Sequence, residues 1–149
     1  MSRRFTLVEM MLVVAIIVVL AAIAVPEYRR AQLKAKRAEV PLNVHGITIA
    51  MLAYDAAHDK YLAQPSYVPS SAMNKKARAW DTSTVYQTLG FRPDGPVRGS
   101  YYSPLFGATG IDTVGTCDVD DDGINASFMS RIDKSTVNDN YMITSSLVF

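Results

Sequence analysis

Asp118, Asp120 and Asp122 fall at alternate positions of the stretch DVDDDG, and Gly123 follows them. Alternate spacing lets three carboxylates converge, and the glycine permits the sharp turn that brings them round. This is the chemistry of a hard, oxygen-seeking cation site, with calcium as the expected ion. The main-chain carbonyl of Ile124 and the side chain of Asn125 are the next oxygens able to complete a shell. The bidentate glutamate that closes a helix-flanked calcium loop is absent, since Met129 stands in its place. A solvated acidic turn between strands is the alternative reading.

A second residue asks for chemistry of a different kind. Glu9 sits near the start of an otherwise apolar run from Phe5 to Val25. A carboxylate inside a bilayer costs about 2.5–3.5 kcal/mol at the centre and less near an end, so such a residue marks function unless it merely reaches the headgroups. No basic residue lies within the run to pair with it. His45 and His58 are thirteen positions apart on one helical stretch and cannot chelate a single metal; they read as solvated or core side chains. Cys117 is the only cysteine, which excludes an intramolecular disulfide, and it reads as a small packed side chain. No nucleophile–base pair, paired-carboxylate cleft or phosphate-binding glycine loop is visible, so the chain is not expected to be an enzyme.

These residues need elements to hold them. Residues 5–25 make about 31 Å of helix at about 1.5 Å per residue, enough for a bilayer core of about 30 Å. That exceeds the apolar core of a secretory signal peptide, and Pro26, Glu27 and Tyr28 follow where a small-residue cleavage site would stand. Residues 1–54 carry seven Lys/Arg against three Glu, a balance of +4, and residues 55–149 carry eight Lys/Arg against eleven Asp, a balance of −3. The net charge of +1 gives no electrostatic case for nucleic-acid binding. Arg3 and Arg4 precede the apolar run, and Arg29, Arg30, Lys34, Lys36 and Arg37 follow it. Taken alone, that bias keeps the C-terminal flank in the cytoplasm.

The stretch FTLVEMMLVVAIIVVLAAIAVPEY resembles the N-terminus of type IV pilins and of the pseudopilins of type II secretion. The resemblance is strong over residues 5–30, weaker to about residue 60, and loose beyond. In that family a short basic leader is cut before a phenylalanine, whose new amine is methylated, and a glutamate follows four residues later. Phe5 and Glu9 match those positions, and Pro26 and Tyr28 match further family features. Arg4 stands where the family carries glycine. The resemblance implies a leader over residues 1–4, a transmembrane and assembly helix over 5–25, a helix continuing over 26–60, and a globular part over 61–149. It implies that Glu9 pairs with the Phe5 amine of a neighbouring copy and registers the subunit during assembly. It implies an inner-membrane precursor with a cytoplasmic N-terminus, against the charge bias, and then an extracellular filament or periplasmic pseudopilus. The implied partners are other pilin copies, a prepilin peptidase and an inner-membrane assembly platform. Motility, adhesion, DNA uptake and secretion all remain open, as does a single-span anchored binding module outside the family. Major pseudopilins are also similar in holding calcium near the C-terminus, although the surrounding sequence differs.

Beyond Pro26, two apolar stripes recur at helical spacing: Ala31, Ala35, Ala38, Leu42, Ile49, Leu52 and Ala56, and Val40, Val44, Ile47, Met51 and Tyr54. One is expected to pack on the subunit's own sheet and the other to face neighbouring subunits; one broad core face is the alternative. Pro26 should loosen the helix locally, Pro41 should kink it, and Pro65 and Pro69 require it to end near Lys60. WDTSTVYQTLGF should hold a short helix capped by Asp81 or Ser83. TLGFRPDGPVRGSYY resembles the region of some pilins where a small helix leads into the sheet. GSYYSPLF, NASFMSRI and YMITSSLVF read as strands, the last with Tyr141, Ile143, Ser145, Leu147 and Phe149 on one face. The expected fold class is α+β, a long N-terminal helix laid on a small antiparallel sheet.

Overall fold

The computed structural model describes residues 5–70, 75–82, 84–107, 109–134 and 142–145, the last by backbone alone. The chain divides into two compact units, Met1–Lys34 and Ala35–Phe149. Helix α1 runs over Leu7–Arg37 with Pro26 inside it, and none of its residues is buried. Pro26 supplies no N–H to the carbonyl one turn before it, yet helical geometry continues through it.

Helical hydrogen bonding lapses at Ala38, and α2 spans Glu39–His58. The break comes three residues before Pro41, which is where the physics puts it. A proline cannot donate to the carbonyl four positions earlier and crowds it, so the ladder fails behind the ring while the ring sits comfortably in the first turn of the next helix. The lapse in the ladder thus falls at Ala38, behind Pro41. Helix α2 closes with Asp59 in the left-handed conformation (φ 53°), its N–H donating to the Asp55 carbonyl at 2.7 Å.

Strands β1 (Gln64–Val68), β2 (Ser100–Ser103), β3 (Leu105–Phe106), β4 (Gly110–Cys117), β5 (Ala126–Asp133) and β6 (Met142–Ser145) form one antiparallel sheet in the order β1-β2-β4-β5-β6, with β3 also pairing to β4. The three strands expected from the sequence are present, GSYYSPLF being divided at Pro104 into β2 and β3. Tyr141, Leu147 and Phe149 lie outside the described residues. Two strands were not expected. β1 carries Pro65 and lies at the sheet edge, where a missing donor is tolerated. β4 is the central strand and is buried along its whole length, so it shows none of the alternation that betrays a half-exposed strand.

Helix α2 lays Val40, Val44, Ile47 and Met51 against this sheet, all fully buried and in one core with Tyr101, Ile111, Cys117, Phe128 and Ile132. Each such side chain contributes about 1.5–3 kcal/mol on burial. Asn43 Nδ2 donates to the Tyr101 hydroxyl at 2.9 Å, tying helix to strand β2. Helix α3 (Val85–Thr88) closes one end and buries Tyr86, whose hydroxyl meets Ser103 Oγ at 3.0 Å. Its N-cap is Thr84, without a side-chain cap bond; the Val85 N–H instead donates to Gln64 Oε1 at 3.2 Å. Asp81 does not cap it, because its carboxylate accepts the Ser70 N–H at 3.0 Å, and Ser83 lies outside the described residues.

Gly115 lies on β4 directly beneath α2, where an added Cβ would come within 2.6 Å of Val44 Cγ2 and 2.7 Å of Val40 Cγ1. Stiff β-branched neighbours cannot swing aside. Gly115→Ala should therefore cost about 1–3 kcal/mol, read by chemical denaturation of a fragment beginning at Ala35. An unchanged midpoint would contradict this packing. Cys117 is free and buried, as the sequence reading expected, and loss of solvation pushes its thiol up to about 11 despite the opposing charge of Arg37. A folded value above the ordinary thiol value of 9.0 favours the protonated form in the fold. That stability is whole below the ordinary value and is lost as pH rises toward about 11. Denaturation midpoints should fall across that window, less so in Cys117→Ala; Tyr86 and Tyr101, also raised by burial, add their own loss above the ordinary tyrosine range.

Candidate functional site

Two regions carry the residues singled out by type and spacing, and each belongs to a different unit. In the first unit, the helix start is fixed by Thr6, whose Oγ1 accepts the Glu9 N–H at 3.2 Å while its carbonyl accepts the Met10 N–H at 3.2 Å. Thr6 is thus the N-cap of α1 and Glu9 its third residue, the spacing of a capping box. The sequence reading passed over Thr6, although T-x-x-E was there to be seen. Glu9 lies in the first turn, where the helix dipole favours a negative charge. Phe5 is exposed beside it, and Arg4 lies outside the described residues. From Leu7 to Val25 every side chain is exposed, and the segment has the length and apolarity of a membrane span, with mean hydropathy 3.0.

In the second unit, the two apolar stripes of α2 separate cleanly. The stripe through Val40, Val44, Ile47 and Met51 packs on the sheet, while Leu42 is 71% exposed, Ile49 52% and Leu52 42%. A single broad core face is excluded by those exposures. Tyr54 is half-buried and stacks on the His58 ring at 4.1 Å. His58 is exposed, with Nδ1 3.1 Å from the Tyr54 carbonyl oxygen, and His45 is exposed too.

The acidic loop joins β4 to β5, from Asp118 to Asn125, as the hairpin connection beyond the Cys117–Ala126 pair. Oxygens of Asp118, Asp120 and Asp122 lie within 4.8 Å of one another. Asp118 is buried, and its two oxygens accept the N–H groups of Asp121 (2.6 Å) and Gly123 (3.1 Å). Asp122 Oδ1 accepts the Ile124 N–H at 2.7 Å. Asp121 and Gly123 take φ of 70° and 83°, and the left-handed turn at Gly123 is the role its lack of a Cβ allows. Loss of solvation, then the charges of Asp122 and Asp118, hold the Asp120 carboxyl above its ordinary value. A divalent cation would relieve that repulsion, and both Asp118 oxygens and Asp122 Oδ1 keep a lone pair for one beside the N–H each accepts. Ile124 and Asn125 are exposed at the end of the loop. Lys75 Nζ lies 3.4 Å from Asp121 Oδ2, outside the triad.

No family model matches the chain, and no solved structure matches it. Among known proteins, the type IV major pilin protein PilA of Myxococcus xanthus (strain DK1622) is 40% identical over 60 residues. The matched stretch covers 40% of this chain and 27% of that protein, so it spans about a quarter of the relative's length. With a long apolar N-terminal helix, a second helix packed on an antiparallel sheet, and this local identity to a type IV pilin, the chain has an α+β fold of pilin-like architecture.

Proposed function

We propose that this chain is a structural subunit of a type IV pilus-like filament and polymerises through its apolar N-terminal helix. The observation that carries the reading is the segment Leu7–Val25, exposed throughout and bearing one carboxylate at its first turn. Such a surface demands lipid or protein around it. Lipid serves the precursor in the inner membrane, and the helices of other copies serve the extracellular filament. Cleavage between Arg4 and Phe5 by a prepilin peptidase creates the free amine that Glu9 lacks, and an assembly platform in the inner membrane brings the two together. Among apolar helices an unpaired carboxylate is costly, and an ammonium beside it offsets much of that cost. The exposed stripe of Leu42, Ile49 and Leu52 extends the apolar contact along α2. The relative it matches is named a type IV major pilin, which supports a structural role in a filament rather than catalysis.

The test is Glu9→Gln beside Glu9→Val. Both should leave stable, membrane-inserted subunit and few filaments, while mass spectrometry of assembled wild-type chain should find N-methylated Phe5 at its start. Normal filament yield from either variant, or a mature chain still beginning before Phe5, contradicts the pairing.

We propose in addition that the β4–β5 loop is a calcium staple, with Asp118, Asp120 and Asp122 on one side of the ion and the Ile124 carbonyl, Asn125 and water completing its shell. The support is the convergence of three carboxylate oxygens in a hairpin that has no disulfide to close it. A shell without the closing glutamate belongs to the weak class, with a Kd on the order of 10⁻⁴–10⁻³ M. At about 1 mM calcium that stabilises the fold by about 0.4–1.4 kcal/mol. The melting temperature of a fragment beginning at Ala35 should rise with calcium, fall back with chelator, respond poorly to magnesium, and become indifferent in Asp120→Ala. A curve unmoved by calcium returns the loop to a solvated acidic turn.

A further inference from the structure

A groove in the second unit shares no residue with the apolar stripes of α2 or with the acidic loop. It lies between strand β1 and the stretch from Trp80 to Thr84, and its volume of about 480 Å³ falls within the about 300–1,000 Å³ usual for small-molecule sites. Two ties build it. Gln64 is 7% exposed; its Nε2 donates to the Ser66 carbonyl at 3.1 Å and to Ser66 Oγ at 2.8 Å, while its Oε1 accepts the Val85 N–H at 3.2 Å. One buried amide therefore fixes β1 and the start of α3 together. Across the groove, Asp81 Oδ2 accepts the Ser70 N–H at 3.0 Å. The register of β1 against β2 shifts between Gln64 and Val68, a bulge that re-aims the side chains of residues 65–67.

The lining narrows the occupant. Ser66, Ser70 and Thr82 are exposed hydroxyls, able both to donate and to accept. The Asp81 carboxylate keeps acceptor capacity beside its bond to Ser70. Thr84 Oγ1 is buried in the wall with no hydrogen-bond partner among the described residues, and such a group marks a place where water or a ligand oxygen belongs. Tyr67 is 42% exposed and tilted on Tyr102 at 4.6 Å. Trp80 is half-buried and held against Tyr86, Phe91 and Tyr101 at 5.7, 5.9 and 5.7 Å, so its indole is fixed where it borders the groove. The described lining holds one carboxylate and no Lys or Arg, which disfavours an anion, and its surface is mostly polar, which disfavours an apolar ligand. Hydroxyls and a carboxylate beside rigid aromatic rings suit a neutral sugar, whose own hydroxyls donate to the acid while its C–H face lies on a ring.

We infer that this groove binds a neutral sugar ring, with Asp81 as the principal acceptor and Tyr67 and Trp80 as the stacking surfaces. The groove is open rather than enclosed, so the ring can be a free sugar or one unit of a longer glycan. The inference stands on the second unit alone and does not depend on filament assembly.

Trp80 is the only tryptophan of the chain, so its emission reports on the groove directly. The experiment uses the full chain in micelles of a sugar-free detergent, titrated with lactose, cellobiose and N,N′-diacetylchitobiose. At least one should change Trp80 emission saturably at millimolar concentration, while matched glycerol and glucuronate should not. Asp81→Asn, which keeps an oxygen for the Ser70 N–H, should weaken binding by about tenfold as a charge-assisted bond becomes a neutral one. Tyr67→Ala should weaken it by about 2–10-fold, and Tyr67→Phe should keep most of it. A soluble polymer of the responding unit, at equal sugar concentration, separates the two sources. Response to both fits a unit within a glycan, and response to the disaccharide alone fits a free sugar; either supports the groove. No saturable change with any of the three sugars overturns the proposal. A change that neither Asp81→Asn nor Tyr67→Ala weakens also overturns it. Saturation by tetramethylammonium with no response to sugar overturns it as well, and assigns the groove to a cation.

Discussion

The apolar surface of α1 that its own chain leaves uncovered is the constraint on which the rest depends. From Leu7 to Val25 the side chains are Leu, Val, Ile, Met and Ala with a single acid, and not one is buried. At about 1.5–3 kcal/mol for each large side chain taken out of water, a free chain exposing this surface is not a viable end state. Lipid or other helices must cover it. Glu9 then matters because it is the one group in that surface whose desolvation opposes coverage. Its position three residues after the Thr6 cap puts it in the first turn of α1.

Helix α2 solves a different problem with the same 3.6-residue period. Its stripe of Val40, Val44, Ile47 and Met51 is spent inside the subunit, where Gly115 leaves room for close approach to β4. The stripe of Leu42, Ile49 and Leu52 is left over. A helix with apolar residues on two sides is either wholly buried or shared, and here the exposures separate the alternatives.

Much of this was legible in the residues, and the exceptions have physical causes. The two stripes of α2 and the strands β2, β5 and β6 followed from helical and period-two spacing. β4 did not, because all of its residues are buried: Val40 and Val44 of α2 lie over the face of Gly115, and the opposite face holds the Asp112–Arg131 ion pair, with N···O distances of 2.6 and 2.8 Å. β1 was hidden by Pro65, which an edge strand tolerates. The cap of α3 was misread because Asp81 found the backbone of Ser70 first, a contact across eleven residues that no local rule supplies. The acidic triad was visible as spacing, but that Asp118 would be buried and already hold two backbone N–H groups depended on the hairpin that presents it.

The central claim is that the apolar faces left exposed by a single copy are the surfaces through which copies assemble. Electron cryomicroscopy of filaments grown from this chain tests it directly. The account predicts Leu7–Val25 buried among neighbouring copies along the filament axis, with Leu42, Ile49 and Leu52 at contacts between copies and Val40, Val44, Ile47 and Met51 still on their own sheet. Filaments in which the Leu7–Val25 helices face solvent, or are held together through the sheet alone, would contradict it.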